Sequence, residues 1–282
     1  MSDPDPARRP LDADELRLAE HDRPFALGGR VAFVTGAGSG IGRSSATVLA
    51  AHGASVVCAD VDQGAAAATV GEIVGRGQPA IAVQVNIAAR AEVDAAIERT
   101  VSELGRLDIL VNAAGISGGD HGLLDADDDE FDRVFAVNVK GVLYACQAAA
   151  RVMRPGASIV NLASAAHDLA GASNAVYGLS KSALVFITRS IALELAPRRI
   201  RVNCVAPGAV LTNMTRRHFM RDGVVDESLR QSWINAMEEF APLGVVAAAE
   251  DIAYAVLYLG SDASRIMTGQ TIRPNSGIAR PA

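Results

Sequence analysis

The chain has 282 residues, half of them apolar and 4% aromatic, with a formal net charge of −6. That length suits one large domain cored by Ala, Val, Leu and Ile, and an acidic balance with no basic stripe excludes nucleic acid as the main partner. Cys58, Cys146 and Cys204 are scattered, each in an apolar run without metal-ligand spacing, so they read as reduced, buried thiols of a cytoplasmic protein.

Residues 1–28 form an extension, a tail or an arm on a neighbouring subunit. Residues 11–21 have helical composition, with Asp12 as a cap and Pro24 as a stop, and no apolar h-region marks a signal peptide. From residue 29 the chain reads as one domain. Apolar strands at 31–35, 55–59, 80–85, 108–111, 157–162, 201–205 and 270–273 alternate with helices at about 40–52, 65–76, 91–104, 127–153, 175–196 and 250–259. Such alternation means crossover units and a parallel sheet covered on both faces, a doubly wound α/β fold. No run reaches the roughly 18 apolar residues of a membrane span.

Three stretches carry chemistry. Gly36-Ala37-Gly38-Ser39-Gly40-Ile41-Gly42 lies between the first strand and first helix, where glycines let a diphosphate approach and the helix offers unpaired N–H groups. Asp60 closes the second strand, where a carboxylate meets the adenosine ribose hydroxyls and repels a 2′-phosphate. No Arg or Lys stands in the turn, which favours NAD(H) over NADP(H). Tyr177 and Lys181 lie four apart on one helix face, so that an ammonium near the phenol lowers its pKa and makes it a usable acid and base.

With Asn112-Ala113-Ala114-Gly115, Asn138, Ser164 and Pro207-Gly208 in order between and after these stretches, residues 30–280 resemble the short-chain dehydrogenases/reductases, single-domain oxidoreductase branch. The resemblance implies a Rossmann-type seven-stranded parallel sheet with three helices on each face, and hydride transfer between nicotinamide and a secondary alcohol or ketone. It implies Tyr177 as general acid/base and Lys181 as the residue that lowers its pKa and holds the nicotinamide ribose. Ser164 would hold the substrate oxygen, and Asn138 would position a water in a relay to Lys181. For the cofactor it implies Gly36, Ser39, Gly40, Ile41 and Gly42 at the diphosphate, Asp60 at the ribose, and Asn86 and Ile87 at the adenine. Asn112, Ala113, Ala114 and Gly115 would pass the adenosine side, with Pro207, Gly208, Val210 and Thr212 near the carboxamide and diphosphate. Ala113, Asn86 and Pro274-Asn275-Ser276-Gly277 depart from the family's usual residues.

Residues 213–243 read as a lid insertion of two short helices, with Met214 and Phe219 toward the substrate and Arg216 and Arg217 solvated. His167, Leu169, Ala170 and Asn174 would line the pocket, with 118–124 as another wall, around a partly apolar alcohol or ketone. Two other functions remain open: an epimerase or dehydratase of the related longer branch, and a nucleotide-sensing protein without turnover. The Ala-rich helices at 127–153 and 175–196 are, by the resemblance, the pairing surfaces of a homotetramer.

Overall fold

The computed structural model describes residues 23–169 and 173–278. The stretch expected to be helical at 11–21 and the expected pocket residue Ala170 lie outside them. Its main strands are β1 (Val31–Thr35), β2 (Ser55–Asp60), β3 (Ala80–Gln84), β4 (Ile109–Asn112), β5 (Ser158–Leu162), β6 (Arg201–Val205) and β7 (Thr271–Ile272). The helices are α1 (Gly40–Ala51), α2 (Gln63–Gly75), α3 (Arg90–Leu104), α4 (Asp128–Phe135), α5 (Val142–Val152), α6 (Ala175–Leu195), α7 (Glu227–Phe240) and α8 (Ala249–Gly260). The strands join one parallel sheet in the order β3-β2-β1-β4-β5-β6-β7.

Residue alternation along the strands builds two cores. Ala32, Val34, Val56, Cys58, Ile109 and Val111 face α1, α2 and α8; Phe33, Val57, Ala59, Leu110 and Ile159 face α3, α5 and α6. Both faces are apolar because both are covered, as a parallel sheet requires. Helix starts follow local chemistry. Asp62, Asp127 and Asp226 cap α2, α4 and α7 by accepting from Ala65, Glu130 and Leu229 N–H at 2.7–3.0 Å. Ser39 opens α1 without a side-chain cap bond, which leaves the helix's first donors for something else. The C-terminal end of α8 is held by Arg201 from β6, which donates to the Leu259 and Ser261 carbonyls at 2.8 and 3.0 Å.

Two elements differ from the sequence reading. The helix expected over 127–153 is interrupted by a π-helical turn, Ala136–Gly141, between α4 and α5. The side chain of Asn138 causes a local competition: it bonds outside the helix, to Ile116 and Ser180, and the extra residue of a π turn accommodates that tether. The 213–243 insertion holds one long helix, α7, preceded by a 3-10 turn (Thr215–Phe219) and a two-stranded hairpin of Met220–Arg221 with Val224–Val225. The span Ala175–Arg198 is also long and apolar enough to cross a membrane by composition. In this fold it is the helix that covers β6, with Leu184, Val185, Ala192 and Leu195 buried.

Candidate active site

The strand order reverses between β1 and β4, so the loops leaving these two strands diverge and open a crevice at their C-terminal ends. A cleft of ≈ 750 Å³ occupies it, running from Asp60 past the glycine turn to Tyr177 and Lys181. Thr35, at the end of β1, holds the two loops together: its hydroxyl accepts from Ala113 and Ala114 N–H, both at 3.1 Å. Gly36, at φ 67°, approaches Ala114 so closely that a Cβ would sit 2.8 Å from its backbone. A β-carbon on Gly42 would collide with the Gly36 carbonyl. The chain therefore runs flush along the cleft floor, under the uncapped start of α1.

Asp60 lies at the far end of the cleft. Its carboxylate accepts from Gly38 N–H at 2.8 Å and Asp62 N–H at 3.0 Å, so a fixed negative charge stands beside the glycine turn. Arg43, one residue past the turn, is committed to Glu72. Asn86 and Ile87 border the same end; the Asn86 side-chain oxygen already accepts from Ala88 N–H at 3.0 Å. Thr212 closes the other wall over Gly40, with the Thr215 hydroxyl accepting from its N–H at 3.0 Å.

At the opposite end, Ser164 starts a 3-10 turn just past β5, and its hydroxyl accepts from Ala166 N–H at 3.2 Å. The Ser164 hydroxyl stands close enough to the Tyr177 phenol to favour its ionised form. Lys181 is buried, 4% exposed, with Nζ donating to the Leu162 carbonyl at 2.8 Å and lying 5.4 Å from the centre of the Tyr177 ring. Burial lowers its pKa to about 8. The expected depression of the Tyr177 pKa is not found. Burial holds the phenol above its ordinary value, against the opposing influence of the Ser164 hydroxyl and the Arg217 charge. Lys181 turns its ammonium toward Leu162 rather than the phenol oxygen, which explains why burial wins.

Asn138 is fully buried behind this pair. Its amide oxygen accepts from Ile116 N–H at 2.9 Å, and its amide nitrogen donates to the Ile116 carbonyl at 2.9 Å and Ser180 Oγ at 3.0 Å. Both side-chain donors are spent on the protein, so contact with a water falls to its oxygen or its backbone.

Several expected residues sit elsewhere. The Asn112 side chain points into the core, donating to Asn161 at 2.9 Å, and Asn161 donates to Thr188 at 2.9 Å; only Asn112's backbone follows the crevice. Val210 is buried in the core beside Ala247, the Pro207 carbonyl accepts from Ala165 N–H at 2.7 Å, and Gly208 packs on Asn275. His167 does not line the pocket: Nδ1 lies 2.6 Å from the Ser164 carbonyl and Nε2 3.0 Å from Asp168, which Arg273 also binds. Asn174, at φ 52°, accepts from Gly118 N–H at 3.2 Å and so ties the wall rather than facing the cleft. Phe219 is a buried anchor against Trp233 on a smaller neighbouring cleft, whereas Met214 does line the main one. Arg217, expected in solvent, bonds the Gly118 carbonyl.

Ser117, Arg133 and Asn213 line the cleft without having been singled out. Arg133 reaches it from α4, and the turn that rotates that helix is set by Asn138's tertiary bonds. Among the described residues, no group of three or more His, Cys, Asp or Glu is placed to hold a metal ion.

A family model described as enoyl-(acyl carrier protein) reductase matches residues 36–279. The chain is 36% identical to (+)-borneol dehydrogenase 2 of Salvia officinalis, covering 90% of this chain and 91% of that one. It is 39% identical to the 3-oxoacyl-[acyl-carrier-protein] reductase FabG of Staphylococcus aureus, over 88% of this chain and 97% of that one. A gluconate 5-dehydrogenase from Burkholderia cenocepacia, solved with NADP and tartrate, superposes with a TM-score of 0.83 at 29% identity, over 92% of this chain and 98% of that one. Fold, crevice and kinship agree: this chain is an oxidoreductase of the short-chain dehydrogenase/reductase family, built to bind a nicotinamide cofactor.

Proposed function

We propose that the protein is an NAD(H)-dependent alcohol dehydrogenase or ketone reductase, with Tyr177 as its general acid/base. One observation carries the reading: Tyr177 and Lys181 line one end of a continuous cleft while Asp60 lines the other. The residues fit a dinucleotide, because the cleft floor is cleared of β-carbons at Gly36 and Gly42 and the α1 donors are uncapped. Gly36 to Gly42 and Thr212 would hold its diphosphate, Asp60 its adenosine ribose and Lys181 its nicotinamide ribose. The bound cofactor supplies the hydride acceptor or donor.

In oxidation, ionised Tyr177 takes the hydroxyl proton of the alcohol as the carbinol C–H leaves with its electron pair as hydride; in reduction the phenol returns the proton to the carbonyl oxygen. Ser164 donates to that oxygen as its charge changes. Tyr177 titrates high in the free protein, so oxidation is favoured by alkaline conditions. Substrates are small, partly apolar secondary alcohols or ketones, consistent with Ile116 and Met214 along the cleft and with the borneol dehydrogenase among the relatives. The apolar stripe Leu179, Phe186 and Leu193, spaced seven apart and exposed along α6, supports assembly into a homotetramer.

Nicotinamide absorbance read against a panel of secondary alcohols, borneol included, is the direct test. Tyr177→Phe is expected to remove about 10³-fold or more of kcat while leaving cofactor binding intact. Retained turnover in that variant would discard the assignment of the acid. The Asp60 charge is tested separately: Asp60→Ala should shift the ratio of kcat/KM for NAD over NADP toward NADP by roughly tenfold or more. A wild-type protein that already prefers NADP would overturn the ribose argument.

A further inference from the structure

The 213–243 segment meets the opposite wall of the pocket through one side chain. Arg217, in the 3-10 turn Thr215–Phe219, donates Nη1 to the Gly118 carbonyl at 3.0 Å and Nη2 to Asp120 Oδ1 at 3.3 Å. Gly118 and Asp120 belong to the loop that leaves β4, so these two bonds span from one loop to the other over a separation of nearly a hundred residues. The same turn is fixed at the cofactor end: Arg216 N–H bonds the Thr212 carbonyl at 3.1 Å, and Thr212 packs over Gly40. The Arg217 side chain is 30% exposed and Asp120 63% exposed, so the guanidinium is the less hydrated partner.

Resting on the reading of Tyr177 as the acid/base, we propose that Arg217 is a positioning residue of the reaction. It latches the substrate-side segment to the 116–122 loop at Gly118, whose N–H bonds the Asn174 side chain at 3.2 Å at the start of α6, three residues before Tyr177, and so holds a fixed positive charge at that end of the helix. A guanidinium suits this, since its planar fork donates to a carbonyl and a carboxylate of the same loop at once.

The other charged groups around the phenol are accounted for. Lys181 stands on Tyr177's own helix and donates a hydrogen bond to the Leu162 carbonyl. Behind Ser164, His167 and Arg273 share Asp168. On the facing loop His121 pairs with Glu130 of α4 at 2.7 Å. On the lid, Arg216 faces the smaller cleft, and burial together with Arg217 holds the His218 pKa below its ordinary value. Arg133 of α4 lines the main cleft. Of these, Arg217 is the cation whose charge opposes the effect of burial on the phenol.

The sign of the effect follows. A nearby cation favours the phenolate, so its removal raises the phenol's pKa, and alcohol oxidation then needs higher pH. For oxidation of borneol, or of the best alcohol in the panel, Arg217→Gln should move the acid limb of the kcat/KM profile up by about half a pH unit. It should also raise KM for the alcohol by roughly tenfold, the loss expected for about 1.4 kcal/mol of positioning. Arg217→Lys should return the limb to its wild-type position and recover only part of KM, because charge is restored without the fork. Asp120→Ala, at an exposed position, should raise KM and move the limb down, since it frees the cation of its counter-charge. Cofactor Kd from nicotinamide fluorescence should stay within about twofold throughout, a difference of less than 0.5 kcal/mol. An unmoved limb in Arg217→Gln, or a limb that Arg217→Lys fails to restore, sinks the proposal even where Tyr177→Phe is inactive. Retained turnover in Tyr177→Phe fails the underlying reading and this proposal together. Should Arg217→Gln not fold, Asp120→Ala decides: an upward or absent shift of its limb counts against the latch.

Discussion

At the scale of single residues, the site sets catalytic need against stability. Lys181 is an ammonium enclosed by protein, hydrogen-bonded to the Leu162 carbonyl, and its pKa falls from 10.5 to about 8. Linkage gives the consequence. Below pH 8 the folded state must carry a buried charge that the unfolded chain hydrates freely; between 8 and 10.5 the folded lysine is neutral while the unfolded one still binds its proton. Stability therefore rises with pH across that window. Lys181→Met should abolish turnover yet stabilise the cofactor-free protein at pH 7 by about 2 kcal/mol, a burial penalty of roughly 3 less the cost of a bare Leu162 carbonyl. Urea unfolding at pH 7 and pH 10 measures it: the gain should shrink at the higher pH, and a loss at pH 7 would contradict the account. The type and spacing of Tyr177 and Lys181 were legible in the sequence. The direction of the phenol's pKa was not, because it depends on how deeply α6 is packed and where Nζ points.

At the scale of elements, the π turn Ala136–Gly141 is the part of the site that periodicity missed. The sequence there has ordinary helical spacing, and nothing local marks an extra residue in the turn. What selects it is Asn138's set of bonds to Ile116, in the loop after β4, and to Ser180, on α6. These residues are far apart in the chain, so only the assembled sheet brings them together. Asn138→Ala should cost about 2 kcal/mol of folding stability, since it strips partners from the half-buried Ile116 backbone and from the buried Ser180 hydroxyl. It should also lower kcat by loosening the helix that carries Arg133. Denaturant titration alongside steady-state kinetics checks both, and a cost below about 1 kcal/mol would mean the turn stands without its tether. The lid differs from expectation for a similar reason. Phe219 and Trp233 pack on each other, so the aromatic residues anchor the segment, and Met214 and Arg217 are left to face the cleft and its wall.

At the scale of the whole molecule, α6 has two duties. Its inward side covers β6 and presents Lys181, while Leu179, Phe186 and Leu193 stay exposed along the outer side, Phe186 at 72%. An apolar stripe of that length on a self-complementary two-fold surface would be buried by a second copy. Phe186→Asp should place like charges against each other across the axis and reduce the proposed tetramer to a smaller species in light scattering. A variant that keeps the parent mass would move the interface elsewhere. Cys58 and Cys146, both pushed to about 12 by burial, and Cys204, to about 11, have no part in such assembly.

The sequence by itself determined the alternation of strand and helix, the glycine turn, the carboxylate that ends β2 and the order of Asn138, Ser164, Tyr177 and Lys181. Each of these is a local matter of period, backbone freedom or residue type. The tertiary structure alone decided which candidates face the cleft. It sent the side chains of Asn112, Val210 and His167 into the packing around it, and it brought Arg133 and Arg217 to the cleft and its wall. The reason is physical: orientation at a crevice is set by the sheet's strand order and by bonds between residues dozens of positions apart, and no local pattern records those.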